Sequence, residues 1–421
     1  MKILVYPHDL RIGGSQLNAI ELGAAVRDLG HHVIVFGQPG PLMHKVRELD
    51  LEFVAAPTPR KRPSPSVCRA LRQLAHDRGI DVLHGYEWPP ALECLLASRV
   101  MPGTISVATV MSMAVAPFIP KSMPLLVGTE QILQVEKAYG RRRLGLLEPP
   151  VDTFANHAAA IDVPGEFRER FGLTDGALTV VCVSRLAREL KLEGILSAMD
   201  AVAKLALHKD VRLVVVGDGP GMGQALERAA AINNRLQRSV VVLTGEIPDP
   251  RPAYAAADVV VGMGSSALRG MSFGKPLIVQ GESGYWELLT AETLGEFLWQ
   301  GWYGLGKGAA TGTQRLVSIL GPLLTSKTER ERLGAFGRAV VEDRFSLSNA
   351  ARVQVSFYQN LLHDGGWTSS SFVAETAGAL RYAAYVGRRR YNKHFGSNTA
   401  DDFNAVPVAA QATAAARGRS L

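Results

Sequence analysis

The chain has 421 residues, 47% of them hydrophobic and 20% charged, which suits a soluble globular protein with two folded domains and a tail. No stretch approaches the roughly 18 to 20 consecutive apolar residues of a membrane-spanning helix, so we expect none. The formal net charge of +7 favours an anionic substrate or surface. No zinc-finger, basic-zipper or aromatic RNA-binding signature accompanies that charge, so we expect no nucleic-acid partner.

The first half of the chain alternates strand-like and helical segments, which predicts a parallel α/β sheet. Strand-like runs occupy residues 2–6, 32–36, 81–84, 105–109 and 125–128, and helical patterns occupy residues 16–29 and 69–77. The N-terminus passes from one lysine into the first strand without the apolar stretch of a signal peptide, so we expect a cytoplasmic protein. Cys68, Cys94 and Cys182 lie far apart, which predicts buried thiols rather than a disulfide framework or a metal site.

A second α/β sheet is predicted after a proline-containing linker at residues 155–172. Its strands are expected at residues 178–184, 213–216, 240–243, 258–261 and 276–279. The fourth of these runs is followed by Gly262-Met263-Gly264-Ser265-Ser266, which leads directly into a helix. Free backbone N–H groups and the positive end of the helix dipole meet at such a turn, so we expect an anionic ligand there, most simply a phosphate.

The C-terminal region is predicted to be mostly helical to about residue 362 and disordered beyond Asn398. Basic clusters occur at residues 60–62, 141–143 and 388–390, and the last of them follows the amphipathic stretch FVAETAGALRYAAYVG. A basic amphipathic segment can lie on an anionic membrane surface. It can equally be a solvated helix that packs back on the protein, and the sequence leaves both interpretations open.

Two parallel α/β domains are compatible with a sugar transferase, a sugar epimerase or a binding protein. The motifs SRLARELKLEG, VVGDGP, LTGEIPD and SSALRGMSFGKPLIV follow successive strands of the second domain. Together with GGSQLNAIELGAAVRDLGHHV, their order and spacing resemble the retaining GT-B glycosyltransferases of the family 4 type (glycosyl transferases group 1), over residues 1–365.

The resemblance implies a GT-B fold, with two Rossmann-like parallel-sheet domains facing a central cleft. Residues 1–160 then form the acceptor-side domain and residues 173–345 the nucleotide-sugar-binding domain. Residues 346–365 form a helix that crosses back to the N-terminal domain, and residues 366–421 form the basic amphipathic segment and disordered tail.

The resemblance also assigns the donor site. Arg185 and Lys191 match the cations that neutralise the diphosphate of the donor, although they could be surface cations in a polar loop. The leaving diphosphate gains negative charge in the transition state, so cations there act electrostatically. We therefore expect no metal and no cofactor other than the nucleoside diphosphate sugar, which is a co-substrate.

Further positions follow from the same resemblance. Gly13 and Gly14 would let a backbone approach the donor phosphate or sugar from the opposite side of the cleft, or they form a plain tight turn. Asp218 is expected to hold its own turn. The loop that frames the base corresponds to Thr244, Gly245 and Ile247, and the helix start that caps the phosphates corresponds to Ser265, Ser266, Ala267 and Leu268.

The chain departs from the family pattern at its paired glutamates. Those positions, eight residues apart, fall on Val261 and Arg269. Arginine has donors and no acceptor, so it cannot receive the hydroxyl protons of a ribose. Arg269 could instead bind phosphate or pair with Glu282 or Glu287, and it is included among the donor-site residues.

The family's histidine after the central N-domain strand is also missing, because VATVMSMAV has Thr109, Met111 and Ser112 there. His84 ends a neighbouring strand and is a weak catalytic candidate, since a histidine at a strand end more often has a structural role. Retaining transfer in this class needs no protein base, because the leaving phosphate oxygen can accept the proton of the acceptor.

The sequence therefore predicts a hexosyltransferase that moves a sugar, with retention, from a UDP- or GDP-sugar to a hydroxyl of a glycan or lipid-linked acceptor. By family analogy it would serve cell-envelope or exopolysaccharide synthesis, in the cytoplasm and peripherally on the inner face of the membrane. Two alternatives stay open. One is a catalytically inactive nucleotide-binding or scaffold protein, which Val261 and Arg269 favour, and the other is a sugar-nucleotide epimerase, which would need a pair of in-cleft carboxylates.

Overall fold

The computed structural model describes residues 1–161, 164–173, 176–364 and 371–394. The chain forms two compact units, one made of Met1–Pro150 and the chain from Leu347 onward, the other of Val151–Ser346. The predicted disorder beyond Asn398 lies outside the described residues.

The first unit contains a seven-stranded sheet with all neighbours parallel and the strand order β3-β2-β1-β4-β5-β6-β7. Its strands are β1 (Lys2–Tyr6), β2 (His32–Gly37), β3 (Glu52–Ala55), β4 (Val82–Tyr86), β5 (Ile105–Val110), β6 (Leu125–Val127) and β7 (Leu144–Leu146). The connecting helices are α1 (Gly14–Asp28), α2 (Met43–Glu48), α3 (Pro65–Arg78), α4 (Trp88–Ser98) and α5 (Glu130–Ala138).

The second unit contains a six-stranded sheet of order β10-β9-β8-β11-β12-β13, in which only β13 is antiparallel. Its strands are β8 (Leu178–Val183), β9 (Val211–Val216), β10 (Val241–Gly245), β11 (Val259–Gly262), β12 (Leu277–Gln280) and β13 (Trp286–Leu288). Its helices are α6 (Pro164–Arg170), α7 (Leu192–Leu205), α8 (Met222–Leu236), α9 (Arg251–Ala256), α10 (Ser265–Ser272), α11 (Leu294–Gln300), α12 (Gly312–Thr325) and α13 (Lys327–Arg344). Short 3-10 turns occur at Ala158–Ala160 and Ala309–Thr311.

The sheet interiors follow directly from the sequence, because runs such as KILVY and VRLVVV bury nearly every side chain, as strands covered on both faces must. Three strands were not predicted from the sequence, namely β3, β7 and β13. They are only three or four residues long, lie at sheet edges and are partly exposed, so they lack the long apolar run that marks a central strand.

The predicted linker at residues 155–172 falls within the second unit. It contains α6, whose Phe167 is buried in a core cluster with Leu173 and Tyr254. The apolar side chains of this segment pack into the core of the second unit, although its prolines and small residues suggested a linker.

Two C-terminal helices, α14 (Leu347–His363) and α15 (Ser371–His394), return to the first unit. Helix α14 buries Ala351 and Tyr358 in the core that α1 also covers. Helix α15 places Tyr382 and Tyr385 against Phe118, with ring centroids 5.2 and 5.0 Å apart. No helix in the described part of the chain is long and apolar enough to cross a membrane.

Candidate functional site

Each sheet has a switch point, where two neighbouring strands send their connections to opposite sides. In the second unit this point lies between β8, which connects to β9, and β11, which connects to β12. Ligands of open α/β sheets bind at the carboxyl ends of the strands at such a switch point. The two segments that leave this point are the loop from Ser184 to Lys191 and the turn of Met263 and Gly264 before α10.

The loop after β8 carries Arg185 and Lys191. Arg185 is exposed, whereas Lys191 is half-buried at the start of α7. Burial, and then the charge of Arg185, lower the pKa of the Lys191 ammonium below its usual range. Within the described residues neither side chain forms an ion pair with a carboxylate. Two adjacent cations without a carboxylate form a site for an anion.

Backbone strain marks the same loop. Leu190, immediately before Lys191, has a φ of 66°, which side-chain-bearing residues rarely adopt. Such outliers persist only where the surrounding structure enforces them, and they concentrate at ligand sites.

The glycines of VVGDGP hold this loop in place. A Cβ on Gly217, which has a φ of +136°, would lie 2.1 Å from the carbonyl oxygen of Ser184. The amide of Leu186 donates to the carbonyl of Asp218 over 2.9 Å. The Asp218 carboxylate accepts from the amide of Gly219 over 2.6 Å, which gives Asp218 the turn-holding contact expected from the sequence.

The turn before α10 offers fewer groups to a phosphate than the sequence suggested. Ser266 donates its hydroxyl to the carbonyl of Val183 over 2.6 Å, so this side chain joins α10 to β8. The side chains of Ala267 and Leu268 are fully buried, and their amides both donate to the carbonyl of Gly264. The candidate groups that could bind a phosphate at this turn are therefore the backbone amides of Ser265 and Ser266.

The loop after β10 joins the same edge of the sheet. Thr244 donates its hydroxyl to the carbonyl of Gly245 over 2.8 Å, and that carbonyl also accepts the amide of Gly217 over 2.9 Å. Gly245 has a φ of +73°, and the partly buried Ile247 packs against the core. The three strands β8, β9 and β10 thus bring Arg185, Gly217 and Gly245 to one edge of the sheet.

The two positions that depart from the family pattern lie in different surroundings. Val261 is fully buried in a core cluster on β11, where a carboxylate would be surrounded by hydrocarbon. Arg269 is half-buried on α10. Burial raises the pKa of the nearby Tyr254 phenol to about 12, and the Ser266 hydrogen bond and the charge of Arg269 oppose that rise. Glu287, one of the partners considered for Arg269, instead pairs with Arg315 over 2.7 Å.

In the first unit the switch point lies between β1 and β4. Gly13 is the N-cap of α1 and has extended backbone, with a φ of −165°, and Gly14 is the first helical residue. Because the N-cap residue is a glycine, it contributes no side-chain cap to this helix N-terminus. The glycine pair therefore opens α1 at the carboxyl edge of the sheet, in the position that the sequence predicted for it.

His84 has a structural role, which corrects its selection as a catalytic candidate. The imidazole is fully buried, its Nδ1 lies 2.5 Å from the Tyr358 hydroxyl, and its Nε2 lies 2.7 Å from the Thr109 hydroxyl. Burial lowers the pKa of His84 to about 3. A ring that is neutral at physiological pH, with both nitrogens engaged inside the unit, is not placed to reach a substrate.

Sequence reasoning missed Glu87, which follows β4 at the same edge as Gly13. The dipeptide Pro89-Pro90 could have indicated this residue. Prolines in the first turn mark the start of a helix, so Glu87 belongs to the turn between the strand and the helix.

Two family models match successive parts of the chain. Residues 13–190 match the glycosyl transferase 4-like domain, and residues 177–299 match glycosyl transferases group 1. The alpha-monoglucosyldiacylglycerol synthase of Streptococcus pneumoniae (strain ATCC BAA-255 / R6) is 33% identical over 124 residues. That match spans 28% of this chain and 27% of the relative, about a quarter of each.

Solved structures show the same fold at low identity. Anabaena Alr3699/HepE in complex with UDP and glucose has a TM-score of 0.67 and 16% identity, covering 86% of this chain and 99% of that one. A glycosyltransferase from Rickettsia africae ESF-5 has a TM-score of 0.66 and 17% identity, covering 86% and 98%. These structures show the GT-B fold, and the two family models, which together span residues 13–299, show that the chain belongs to the group 1 glycosyltransferases of the family 4 type.

Proposed function

We propose that the protein transfers a hexosyl group, with retention, from a nucleoside diphosphate sugar to a hydroxyl of a glycan or lipid-linked acceptor. The observation that carries this proposal is the pair of Arg185 and Lys191 at the carboxyl end of β8, with no carboxylate partner in the described structure. The chemistry they suit is the neutralisation of a diphosphate leaving group.

The two cations would act differently. The planar guanidinium of Arg185 can contact two phosphate oxygens at once, whereas the Lys191 ammonium is a point charge. Half-burial strengthens the effect of Lys191 because the surrounding dielectric is lower than that of water. With the amides of Ser265 and Ser266 at the start of α10, these groups would supply the charge compensation for which other enzymes use a metal.

Donor and acceptor classes follow from the relatives and are part of the proposal. HepE is described in complex with UDP and UDP-glucose, so UDP-glucose is the first donor to test. The pneumococcal relative is named for a glucosylated diacylglycerol, so a diacylglycerol lipid is the first acceptor. A role in cell-envelope or exopolysaccharide synthesis would follow from such an acceptor.

A thermal-shift titration tests the donor site. We expect one of UDP, GDP or ADP, or its sugar conjugate, to raise the melting temperature of the wild type, because a ligand that binds only the folded state stabilises it by mass action. Arg185→Ala should lose that increase. Lys204→Ala is the matched control, because Lys204 is exposed near the other end of α7 and its loss should leave the increase intact.

The same titration tests the scaffold form of the strongest alternative, in which the protein binds no nucleotide. Arg269 in place of a ribose-binding carboxylate favours an inactive descendant of the enzymes, and the absence of stabilisation by every nucleotide would support it. An epimerase is less favoured, because two carboxylates of the second unit already accept hydrogen bonds from the protein. Glu193 accepts the amides of Ser283 and Gly284 over 3.1 and 2.7 Å, and Glu282 accepts the Tyr303 hydroxyl over 2.6 Å.

We also propose that the enzyme associates peripherally with the inner face of the membrane through α15. One side of this helix packs on the first unit through Gly378, Tyr382 and Tyr385. The other side exposes Leu380 and Tyr391, at 69% and 63%, at helical spacing and beside the exposed arginines 388–390. An apolar stripe flanked by arginines suits the boundary between lipid headgroups and acyl chains.

Vesicle flotation tests this surface. Replacing arginines 388–390 with serine should weaken binding to vesicles containing anionic lipid, since each basic residue near such a surface contributes about 1 kcal/mol. Binding to neutral vesicles should change little. A control that replaces exposed Lys204, Arg235 and Lys327 with serine removes the same charge from the second unit. Equal loss in both variants would attribute binding to net charge and refute a specific role for α15.

A further inference from the structure

Glu87 occupies a strained position at the switch point of the first sheet. It lies between β4 and α4, with a φ of 65° and a ψ of 173°, although it is not a glycine. The backbone is held there partly by its own amide, which donates to the carbonyl of Thr109 on β5 over 2.8 Å. A side-chain-bearing residue keeps such a conformation only where other contacts outweigh its cost.

The carboxylate of Glu87 joins two further loops at the same edge. Oε1 accepts the Ser15 hydroxyl over 3.1 Å and the Met111 amide over 3.0 Å. Oε2 accepts the Ser112 hydroxyl over 2.8 Å. Ser15 belongs to the first turn of α1, directly after Gly13 and Gly14, while Met111 and Ser112 follow β5.

These contacts connect the loops that follow β1, β4 and β5, all of which end at the carboxyl edge of the sheet. Hydrogen bonds to an ionised carboxylate are shorter and stronger than those between neutral groups, so one side chain can fix all three loops. Both oxygens already accept hydrogen bonds from the protein, which makes Glu87 a poor general base for an acceptor hydroxyl.

We propose that Glu87 is a positioning residue for sugar transfer. Its carboxylate fixes the Gly13-Gly14 start of α1 relative to Met111 and Ser112, so that both segments present one rigid surface to the substrates. The strained backbone aims the carboxylate between the two loops. This inference rests on the proposed function, and it assigns to Glu87 a role that acts through neighbouring groups.

Glu87→Gly is the informative variant, because glycine relieves the positive φ while it removes the carboxylate. We expect the melting temperature to stay within a few degrees of the wild type and nucleotide-induced stabilisation to persist, because the nucleotide binds mainly to the second unit. The value of kcat for UDP-glucose transfer should fall roughly 10- to 100-fold, the scale of a misplaced substrate-positioning group. Amide hydrogen exchange should accelerate in residues 13–16 and 111–113.

Two further variants sharpen the test. Glu87→Gln, which keeps one accepting oxygen, should recover part of kcat and part of the exchange protection. Glu48→Gln, an exposed carboxylate at the end of α2, should change neither.

Unchanged exchange in both segments, or unchanged kcat in Glu87→Gly, would overturn the positioning role. A wild type that binds no nucleotide and transfers no sugar would refute the proposed function. Hydrogen exchange would then still decide whether Glu87 fixes the loops, so the two failures are distinguishable.

Discussion

Lys191→Ala and Arg185→Ala are each expected to lower kcat/KM for sugar transfer by roughly tenfold or more, the scale of losing one transition-state charge contact. The leaving diphosphate gains charge as the bond to the sugar breaks, and these side chains are the cations at the end of β8. Lys191→Ala should have the larger effect on kcat, because its ammonium is the more buried of the two. Initial rates over a range of UDP-glucose concentrations separate kcat from KM.

The pH dependence provides an independent check on Lys191. Its pKa is lowered by burial and by Arg185, so the charged form is lost at a lower pH than for an ordinary lysine. Transfer should therefore decline on the alkaline side as pH rises through that lowered pKa. Lys191→Arg keeps a charge at all accessible pH values and should move this decline to higher pH. Lys204→Ala should leave rate and profile unchanged, whereas unaffected turnover in both Lys191→Ala and Arg185→Ala would contradict the site.

Arg62→Ala is expected to destabilise the first unit by about 3–5 kcal/mol, the usual cost of removing one partner from a buried ion pair. Arg62 donates to Glu93 over 2.6 Å, and the Glu93 side chain is 0% exposed. The same carboxylate accepts the Tyr6 hydroxyl over 2.9 Å and the Ser64 amide over 2.7 Å. Those two neutral donors would remain, but the buried charge would lack its cation. Urea denaturation followed by circular dichroism measures the change.

Glu93 determines how the stability of the Arg62→Ala variant changes with pH. Burial raises the pKa of this carboxyl above its ordinary value, and the charge of Arg62 opposes that rise. In Arg62→Ala the pKa of Glu93 should rise further, so the folded state binds more protons than the unfolded state and loses stability as pH increases. The deficit relative to wild type should thus grow from mildly acidic to neutral pH. Arg332→Ala, which breaks an exposed pair with Glu329, should leave stability nearly unchanged across the same pH range.

The sequence alone was sufficient for the α/β architecture, and it predicts the edge of the sheet at which a ligand would bind. Long apolar runs such as VRLVVV, each followed by a glycine-bearing turn and a helix, are local patterns, and parallel strands place their carboxyl ends together. Arg185, Lys191 and Gly245, which the family resemblance assigns to the donor site, lie at that edge of the sheet in the structure. Short edge strands carry too little local pattern to be found in this way.

Tertiary structure decided which polar residues serve the fold and which are left for a ligand, because those roles depend on partners distant in sequence. His84 was a catalytic candidate until Tyr358, from a helix near the other end of the chain, was found at its ring nitrogen. Arg62 belongs to the basic cluster at residues 60–62, yet it neutralises the buried Glu93. Periodicity predicts that a side chain lies on a strand or in a turn, but burial and hydrogen bonding across the fold determine what remains available for chemistry.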